Sequence, residues 1–402
     1  MNDSGPQARH TAVSDRTDRD ESGGGPGTAN PWVLVATLAD RTTWWVVAEG
    51  AQPRRWTRLS RTRIASSSSM NQHLVPMIGQ AISSGEPQIR SCHLSSGVRM
   101  QIIAVPVVGP NNEVFAVHVW GGPRYLPIPP RPSVGALMCR SRKGFTTTDS
   151  TFEDLIDADA IKTPARALPE LMRHFEGTDD KAGLMRLFDE TPEGPTLWCA
   201  TVVTTGVATN TRRNLFIAAA SVPNGNGRTI RAIAYAISNE HNAPSPTLCA
   251  KLVSTLPIQS RHAVGITDLT TGLVHQWIKT GPPPLDRWMC EIPETHPDDV
   301  AEVAHTRARL LAGVEQADIR FRLRFDTSSW VSVHAHLTVL TRGISPQACL
   351  DLRLASRPAK SPDSRRPTDL NSHSRPISEV APRPSRRARS RSLQTGGPRS
   401  IE

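Results

Sequence analysis

The sequence predicts an α+β protein made of antiparallel sheets with short flanking helices. Most apolar residues fall in short runs that are either continuous or alternate with polar residues, as strands require. Turn residues separate many of these runs, for example the Gly-Pro-Asn-Asn at 109–112, which joins strand candidates at 99–108 and 114–120 in a hairpin. Few segments have the spacing of an amphipathic helix. A length of 402 residues indicates two or three domains.

The composition indicates a protein that folds inside the cell. Hydrophobic residues make up 38% of the chain, and no apolar run approaches the roughly 18 residues that a membrane span needs. Residues 1–30 lack the apolar segment of a secretory signal, so we expect a cytoplasmic location.

The cysteines form no C-x-x-C pair, which favours small buried thiols in a reducing compartment over a zinc site. The six cysteines are Cys92, Cys139, Cys199, Cys249, Cys290 and Cys349.

Most of the net charge of +10 lies in one terminal segment. Residues 356–402 contain eleven basic and four acidic residues, whereas residues 1–30 contain three basic and five acidic ones. Both segments are nearly free of large apolar side chains, so we expect both to be disordered. The net charge therefore indicates what kind of partner the tail binds, and it says little about the folded part of the chain.

A first folded block is predicted at residues 31–123. It contains two apolar strand candidates, a helix whose apolar side chains share one side, and the hairpin described above. The strands are expected at 32–38, 43–48, 99–108 and 114–120, and the helix at 71–83. The Pro-rich segment 124–132 predicts a semi-rigid linker of the polyproline type.

A second block is predicted at residues 133–239. Its helices are expected around Phe152 and Leu168, and its strands at 197–204, 214–222 and 229–237. The Asn-Gly-Asn-Gly at 224–227 predicts a tight turn between the last two strands. No clear second strand follows the opening Val-Gly-Ala-Leu at 134–137. Residues 240–260 are interpreted as a second linker.

The third block, residues 261–355, has the clearest strand alternation. Along residues 319–325 every second residue is apolar, and the arginines between them fall on the opposite face. Residues 331–339 alternate in the same way. A helix is predicted at 298–312, because the His-Pro-Asp-Asp at 296–299 places acidic residues at its N-terminus and a glycine follows its end.

The order of these signals resembles that of a PAS domain, a small sensory and protein-interaction fold. The resemblance rests on Val-Gly-Ile-Thr-Asp at 264–268, Thr-Thr-Gly at 270–272, the His-Pro-Asp-Asp helix start, and two strands joined by Asp-Thr-Ser-Ser at 326–329. Residues 31–123 resemble a GAF-like domain, a relative of the PAS fold, and residues 133–239 resemble a divergent PAS copy. Over about three quarters of the chain, the arrangement resembles the GAF/PAS proteins of unknown function that are common in high-GC actinobacteria.

The resemblance implies one GAF-like and two PAS-like domains between disordered ends, with a ligand pocket beneath one sheet face. In PAS domains such a pocket holds haem, flavin, a small metabolite or nothing, so the cofactor is left open. His275 and Trp277 are candidates for the pocket because they share a strand face with Leu273, and Trp288 is a further wall candidate. The simpler interpretation is a buried, hydrogen-bonded histidine beside a core tryptophan. The second block lacks the His-Pro-Asp-Asp start, which gives no support for a pocket there.

A basic stripe is predicted on the third block, formed by Arg320, Arg322 and Arg324 on one strand face. The simplest interpretation is a solvated face with neighbouring acids. The alternative is a docking surface for a protein or an anionic ligand. His334 and His336 lie on the next strand and are candidates for the same face and for a response to pH.

The arginine-rich sequence 386–392 in the tail also has two interpretations. Clustered arginines bind nucleic-acid phosphates without sequence specificity. The same spacing presents Ser390 to kinases that prefer basic residues. The partner is therefore left open between a small ligand, another protein, a second copy of this chain, and nucleic acid bound through the tail.

No enzyme motif is found in the sequence. It has no P-loop, no dinucleotide-binding glycine motif, no nucleophile elbow and no H-E-x-x-H motif. Histidine-kinase and helix-turn-helix outputs are also missing. We therefore predict no catalytic residues, no metal site, and a non-enzymatic sensory or regulatory protein. The alternative is a nucleic-acid-associated protein that uses its basic tail.

Overall fold

The computed structural model describes residues 30–66, 68–93, 97–141, 144–158, 165–206, 209, 211–225, 227–238, 261–326 and 328–355. Nearly all of the N-terminal segment 1–30, the linker 240–260 and the tail 356–402 lie outside these residues, as do Cys249 and Ser390. By its contacts the chain divides into residues 1–355 and 356–402, and all described residues belong to the former. None of the described helices is long and apolar enough to cross a membrane.

The first block forms a six-stranded antiparallel sheet with one long helix. Its elements are β1 (Val33–Ala36), β2 (Trp45–Glu49), β3 (Gln52–Thr57), α1 (Ser68–Ser84), β4 (Gln88–His93), β5 (Arg99–Val108) and β6 (Val114–Pro123). The strands lie in the order β3-β2-β1-β6-β5-β4. Leu74, Ile78 and Ile82 recur at helical spacing and pack α1 on one face of the sheet. The four predicted strands and the helix are present, and β3 and β4 are additional edge strands that the sequence did not predict.

The second block forms a seven-stranded antiparallel sheet with three short helices. Its elements are β7 (Gly135–Arg140), β8 (Phe145–Thr148), α2 (Ser150–Ile156), β9 (Arg166–Ala167), α3 (Leu168–Met172), β10 (Phe175–Thr178), α4 (Lys181–Arg186), β11 (Thr196–Thr205), β12 (Arg212–Asn224) and β13 (Gly227–Ile237). The order is β10-β11-β12-β13-β7-β8-β9. The predicted helices and three long strands are confirmed. The expectation that this block lacks a second strand is wrong, because β8 pairs with β7. In this pairing Leu137 lies opposite Thr148, and Arg140 lies opposite Phe145.

The third block forms a six-stranded antiparallel sheet with one helix. Its elements are β14 (His262–Asp268), β15 (Val274–Lys279), β16 (Glu294–Thr295), α5 (Val300–Leu311), β17 (Gln316–Arg324), β18 (Val331–Thr341) and β19 (Gln347–Leu354). The order is β15-β14-β19-β18-β17-β16. The predicted alternation is confirmed, since Ile319 pairs with Ala335 and is buried on the core face. A single 3-10 turn, Pro297–Asp299, precedes α5 at the predicted helix start.

The three sheets share one pattern of strand order. In each sheet the first strand of the block pairs with the last strand of the block, as β1 does with β6, β7 with β13, and β14 with β19. The remaining strands then follow outwards on either side in sequence order. Because no pair in these sheets is parallel, short turns connect most neighbours without long crossovers. The blocks are therefore structural repeats at the level of sheet topology.

The first and second sheets are packed against each other through a common apolar core. Leu34 and Phe115 of the first sheet contact a cluster that includes Phe216, Ile233 and Tyr235 of the second. The phenol of Tyr235 donates a hydrogen bond of 2.9 Å to the carbonyl oxygen of Val47. Each of these two sheets thus buries both faces, one against helices and one against the other sheet.

The third block has a core of its own and also contacts the second block. The apolar face of β17 and β18 packs with Leu310 of α5 in a separate cluster. Leu273, just before β15, instead packs against the core of the second block, and α3 lies next to β15. The strand β15 is therefore where these two blocks meet, which positions the candidate site.

Two smaller predictions have mixed outcomes. The Pro-rich linker has no helix or strand, and its Pro129 carbonyl accepts a hydrogen bond of 2.9 Å from the Trp32 indole, so the linker is docked on the first sheet. Cys92, Cys139 and Cys199 are buried and free as expected, whereas Cys290 is exposed. The prediction of buried thiols is wrong for Cys290, which lies at the end of a 3-10 turn, Leu285–Met289.

Candidate functional site

An apolar cavity of about 120 Å³ lies between the second sheet and its helices α2, α3 and α4. It is many times larger than the roughly 10–15 Å³ that one water molecule requires. Its apolar wall comes from all three helices and five strands, and includes Leu137, Phe152, Leu168, Leu171, Met172, Phe175, Leu184, Phe188, Trp198, Val202, Ile217 and Ile230. A cavity with this lining has the character of a small-molecule site.

Small side chains on the sheet explain why the space exists. Ala219 of β12 and Ala232 of β13 are cross-strand partners, and both line the cavity. Leu137 of β7 pairs with Ala232 on its other side. Methyl groups at two adjacent positions leave a depression in the sheet that the short helices above do not fill. The two alanines are visible in the sequences of β12 and β13, but alanine in a strand does not by itself predict a cavity.

Lys181 and Gln276 form a polar contact in the lining of the cavity. The ammonium of Lys181 donates a hydrogen bond of 3.2 Å to the side-chain oxygen of Gln276, and both residues line the cavity. Lys181 is the first residue of α4, whereas Gln276 belongs to β15 of the third block. Within the described part of the chain, no carboxylate lies at ion-pair distance from Lys181. Burial lowers the pKa of its ammonium, as expected for a charge taken from water without a counter-ion.

Glu176 also lines the cavity, but its charge is already matched. Its carboxylate forms an ion pair of 2.9 Å with the Arg212 side chain. It also accepts a hydrogen bond from the hydroxyl of Thr205. The lysine is therefore the polar group at this site whose charge is left uncompensated by the described residues.

His275, a predicted pocket residue, lies beside this cavity contact. Its side chain is fully buried, and neither ring nitrogen has a hydrogen-bond partner among the described residues. Burial, the larger cause, and the nearby charge of Lys181 together lower the pKa of its imidazole to about 3. The ring is therefore neutral at physiological pH. The expected hydrogen bond of a buried histidine is not found in the described part of the chain.

Trp277 and Trp288, the other predicted pocket residues, belong to the core of the third block. Their rings meet edge to face at 5.3 Å, and the Trp277 indole donates to the Trp288 carbonyl at 3.3 Å. The register of β15 against β14 is irregular at two points. His275 and Trp277, which are two positions apart in the sequence, thus have different contacts. His275 lies near Lys181, whereas Trp277 packs against the core of the third block. The structure does not bring the three predicted residues together in one pocket.

The predicted basic stripe is partly neutralised by acids. Arg322 contacts Asp299 at 2.8 Å and Asp298 at 3.1 Å, which holds the pKa of the Asp299 carboxyl down at about 2. Arg324 pairs with Glu294 and lies over the Trp330 ring at 4.6 Å. Arg320 is exposed. Two of the three arginines therefore form ion pairs with acidic residues near the start of α5. This agrees with the simpler interpretation, a solvated face with neighbouring acids.

His334 and His336 lie on the outer face of the third sheet, in two cross-strand rows. Arg320, His334, Arg353 and His262 are successive partners across four strands, and the Arg353 side chain donates to His334 at 3.2 Å. In the next row, His336 lies 3.1 Å from Asp318. His262 similarly lies 2.7 Å from Asp351. The face thus alternates basic and acidic rows, and it is accessible and polar.

Cys139 is the cysteine that lines the cavity. Burial raises the pKa of the Cys139 thiol, which lines the cavity, to about 12, so this thiol stays protonated and unreactive. Among the described residues, no three His, Cys, Asp or Glu side chains are arranged to hold a metal ion. Sequence reasoning missed Lys181 and Gln276, because a lone lysine and a lone glutamine in separate blocks carry no motif.

Comparisons with known proteins bear on the fold of the chain. Residues 31–130 match a family model described as Rv3651-like, N-terminal. A solved structure of an uncharacterized protein from Mycobacterium tuberculosis aligns with a TM-score of 0.64 at 20% identity, over 81% of this chain and 96% of that chain. That level of identity shows a shared fold and no more.

More distant matches carry no argument. A structure of an RNA-binding Light-Oxygen-Voltage receptor aligns over 55% of this chain and 95% of that chain, with a TM-score of only 0.21 at 9% identity. No curated protein matches the chain. The GAF and PAS assignments of the individual blocks therefore stay predictions.

Proposed function

We propose that this protein is a non-catalytic sensory or regulatory protein that binds a small, largely apolar ligand in the cavity of its second sheet. The observation that carries the proposal is the cavity itself. It is enclosed by short helices on one side and a sheet on the other, and a residue of the third block, Gln276, completes its lining. Sites that bind small molecules are typically concave, mostly apolar and provided with few polar groups.

The resemblance to PAS domains supports a sensory role over catalysis. PAS domains hold ligands beneath a sheet face and pass the change on through altered association. The common strand order of the three sheets supports a repeated architecture of this kind. Among the described residues at the cavity, no nucleophile lies beside a base: the thiol of Cys139 is protonated, and Glu176 is bound to Arg212.

Filling the cavity tests this proposal. Ala219→Leu adds apolar volume inside the cavity, so we expect a higher melting temperature without ligand and loss of ligand binding. Ala236→Leu adds the same atoms at an exposed position on β13 and serves as the matched control. Binding is measured on the full chain by native mass spectrometry and by thermal shift against a panel of small apolar compounds.

The outcomes of this experiment separate the alternatives. Compounds that stabilise the natural protein and Ala236→Leu, but not Ala219→Leu, support binding in the cavity. Stabilisation that is equal in all three proteins places binding elsewhere. Turnover of any of these compounds by the purified protein would overturn the non-catalytic assignment.

A second function is favoured by one observation, the charge of the tail. Eleven basic and four acidic residues in 356–402, outside the described residues, are suited to binding nucleic-acid phosphates. If the tail has this role, deleting residues 356–402 abolishes salt-dependent binding of DNA or RNA. If the sensory proposal alone holds, the same deletion leaves ligand binding unchanged.

A further inference from the structure

We propose that the ligand of this cavity is amphipathic, with an apolar body and a carboxylate head that binds Lys181 and displaces its hydrogen bond to Gln276. This inference rests on the proposed function, because it names the class of ligand for the same cavity. It goes further in that it assigns the recognising residue and connects the ligand to the third block.

The first argument is the uncompensated charge of Lys181. An ammonium that is partly buried at an apolar cavity loses hydration, and its described neighbour is an amide oxygen rather than a carboxylate. A ligand carboxylate would restore the missing counter-ion and form a charge-assisted hydrogen bond, which is about twice as strong as a neutral one. The same charge disfavours a cationic head.

The second argument is the position of the charge relative to the apolar wall. The lining is predominantly apolar, and the acid at the site, Glu176, is occupied by Arg212. A ligand head that needs an acceptor would find no free carboxylate among the described lining residues. A head that needs donors finds the three of the ammonium and, if the amide of Gln276 turns, two more.

The third argument concerns what the ligand changes in the protein. The contact between Lys181 and Gln276 joins α4 of the second block to β15 of the third. His275, the neighbour of Gln276, is fully buried beside Lys181 and has no described hydrogen-bond partner. Replacing the amide contact with a ligand head therefore acts directly on the strand where the two blocks meet. We expect β15 to report ligand binding through a change in amide hydrogen exchange.

The experiment uses the full chain and a matched set of probes: octanoate, octanol and octylamine. We expect octanoate to bind at least about tenfold more tightly than octanol, since a charge-assisted hydrogen bond contributes on the order of that factor. Octylamine is expected to bind most weakly. Affinities are measured by calorimetry, and hydrogen exchange in β15 is followed with and without octanoate.

Three variants test whether Lys181 is the residue that causes the preference for octanoate. Lys181→Met keeps most of the length of the side chain and removes the charge, so it is expected to lose the preference for octanoate while octanol binding is kept. Lys181→Arg keeps the charge and restores much of the preference. Lys279→Met removes the same charge from β15, at a residue that does not line the cavity, and is expected to behave like the natural protein.

The outcomes of this experiment distinguish the carboxylate inference from the proposed function on which it rests. Equal binding of octanoate and octanol by the natural protein overturns the carboxylate assignment and leaves an apolar ligand site in place. A preference that survives in Lys181→Met overturns the role of the lysine. If none of the three probes binds, the carboxylate inference fails. The Ala219→Leu experiment then decides whether the cavity binds small apolar compounds.

Discussion

At the scale of single residues, the most informative side chain is His275. Its imidazole is neutral and fully buried, and burial is the main cause that lowers its pKa from 6.5 to about 3. A histidine of this kind makes stability depend on pH, because the unfolded chain takes up a proton at a higher pH than the folded chain does. The sequence indicated a buried histidine, but it did not show that the ring would lack a described partner.

The stability of the protein should fall as the pH falls from about 6.5 towards 3 through this residue. Between these values the unfolded imidazole is protonated and the folded one is not, so the cost at pH 5.5 is about 1.4 kcal/mol. His275→Leu removes this dependence. We expect its stability relative to the natural protein to rise by about that amount between pH 7.5 and pH 5.5, measured by urea unfolding.

The exposed His305 on α5 provides the control. His305→Leu should leave the pH dependence as it is in the natural protein. If the two variants have the same pH dependence, the assignment of a neutral, buried His275 is contradicted. His118, whose pKa burial also lowers to about 3, is untouched in both variants and so contributes equally to each measurement.

At the scale of elements, two of the strands that the sequence missed, β3 and β4, share a physical character. β3 and β4 are the two edges of the first sheet and are mostly exposed, so they carry little apolar alternation. Their extended state comes from pairing with β2 and β5, which a local pattern does not contain. The strands with strong alternation, β17 and β18, were predicted with the correct faces, because burial on one side of a sheet imposes the two-residue period.

A buried arginine holds the long hairpin of the second sheet to the segment before β11. Arg228 is 2% exposed, and its guanidinium donates to the Ser221 hydroxyl at 2.7 Å. It also donates to the carbonyl oxygens of Pro192 at 2.6 Å and Gly194 at 2.8 Å. Within the described part of the chain it has no carboxylate at ion-pair distance. Its fork of donors therefore satisfies backbone groups that would otherwise be left without partners.

Arg228→Met should destabilise the protein by about 3 kcal/mol, because it leaves several buried acceptors unsatisfied. The measurement is urea unfolding at neutral pH. Arg140→Met, at an exposed position on the adjacent strand β7, is the control and is expected to change stability by less than about 0.5 kcal/mol. A loss in Arg228→Met as small as that of the control would show that these hydrogen bonds contribute no net stability.

At the scale of the whole molecule, the first two blocks are not independent. The sequence predicted separate domains joined by a linker at 124–132, and the pattern of each block agrees with a sheet. The structure adds that the two sheets cover one another through a shared core and the hydrogen bond from Tyr235 to Val47. An apolar sheet face of this size requires a partner, and the partner here is the neighbouring block.

A fragment of residues 31–132 should therefore expose an apolar face. We expect it to self-associate and to bind a hydrophobic dye, whereas residues 31–238 unfold cooperatively and bind little dye. Light scattering and dye fluorescence measure the difference. A stable, monomeric and dye-free fragment 31–132 would contradict the shared core.

The sequence by itself determined the α+β class, the longer strands, the helix starts and the basic tail, because these depend on local periodicity, capping residues and charge. It pointed to His275, although for a pocket in the third block. Only the tertiary structure decided that a cavity lies in the second block, that the arginine stripe is paired with acids, and that Lys181 meets Gln276. The physical reason is that a cavity is a packing mismatch between distant segments. Lys181 and Gln276 are 95 positions apart in the chain, and no local pattern records which side chains the sheets bring together.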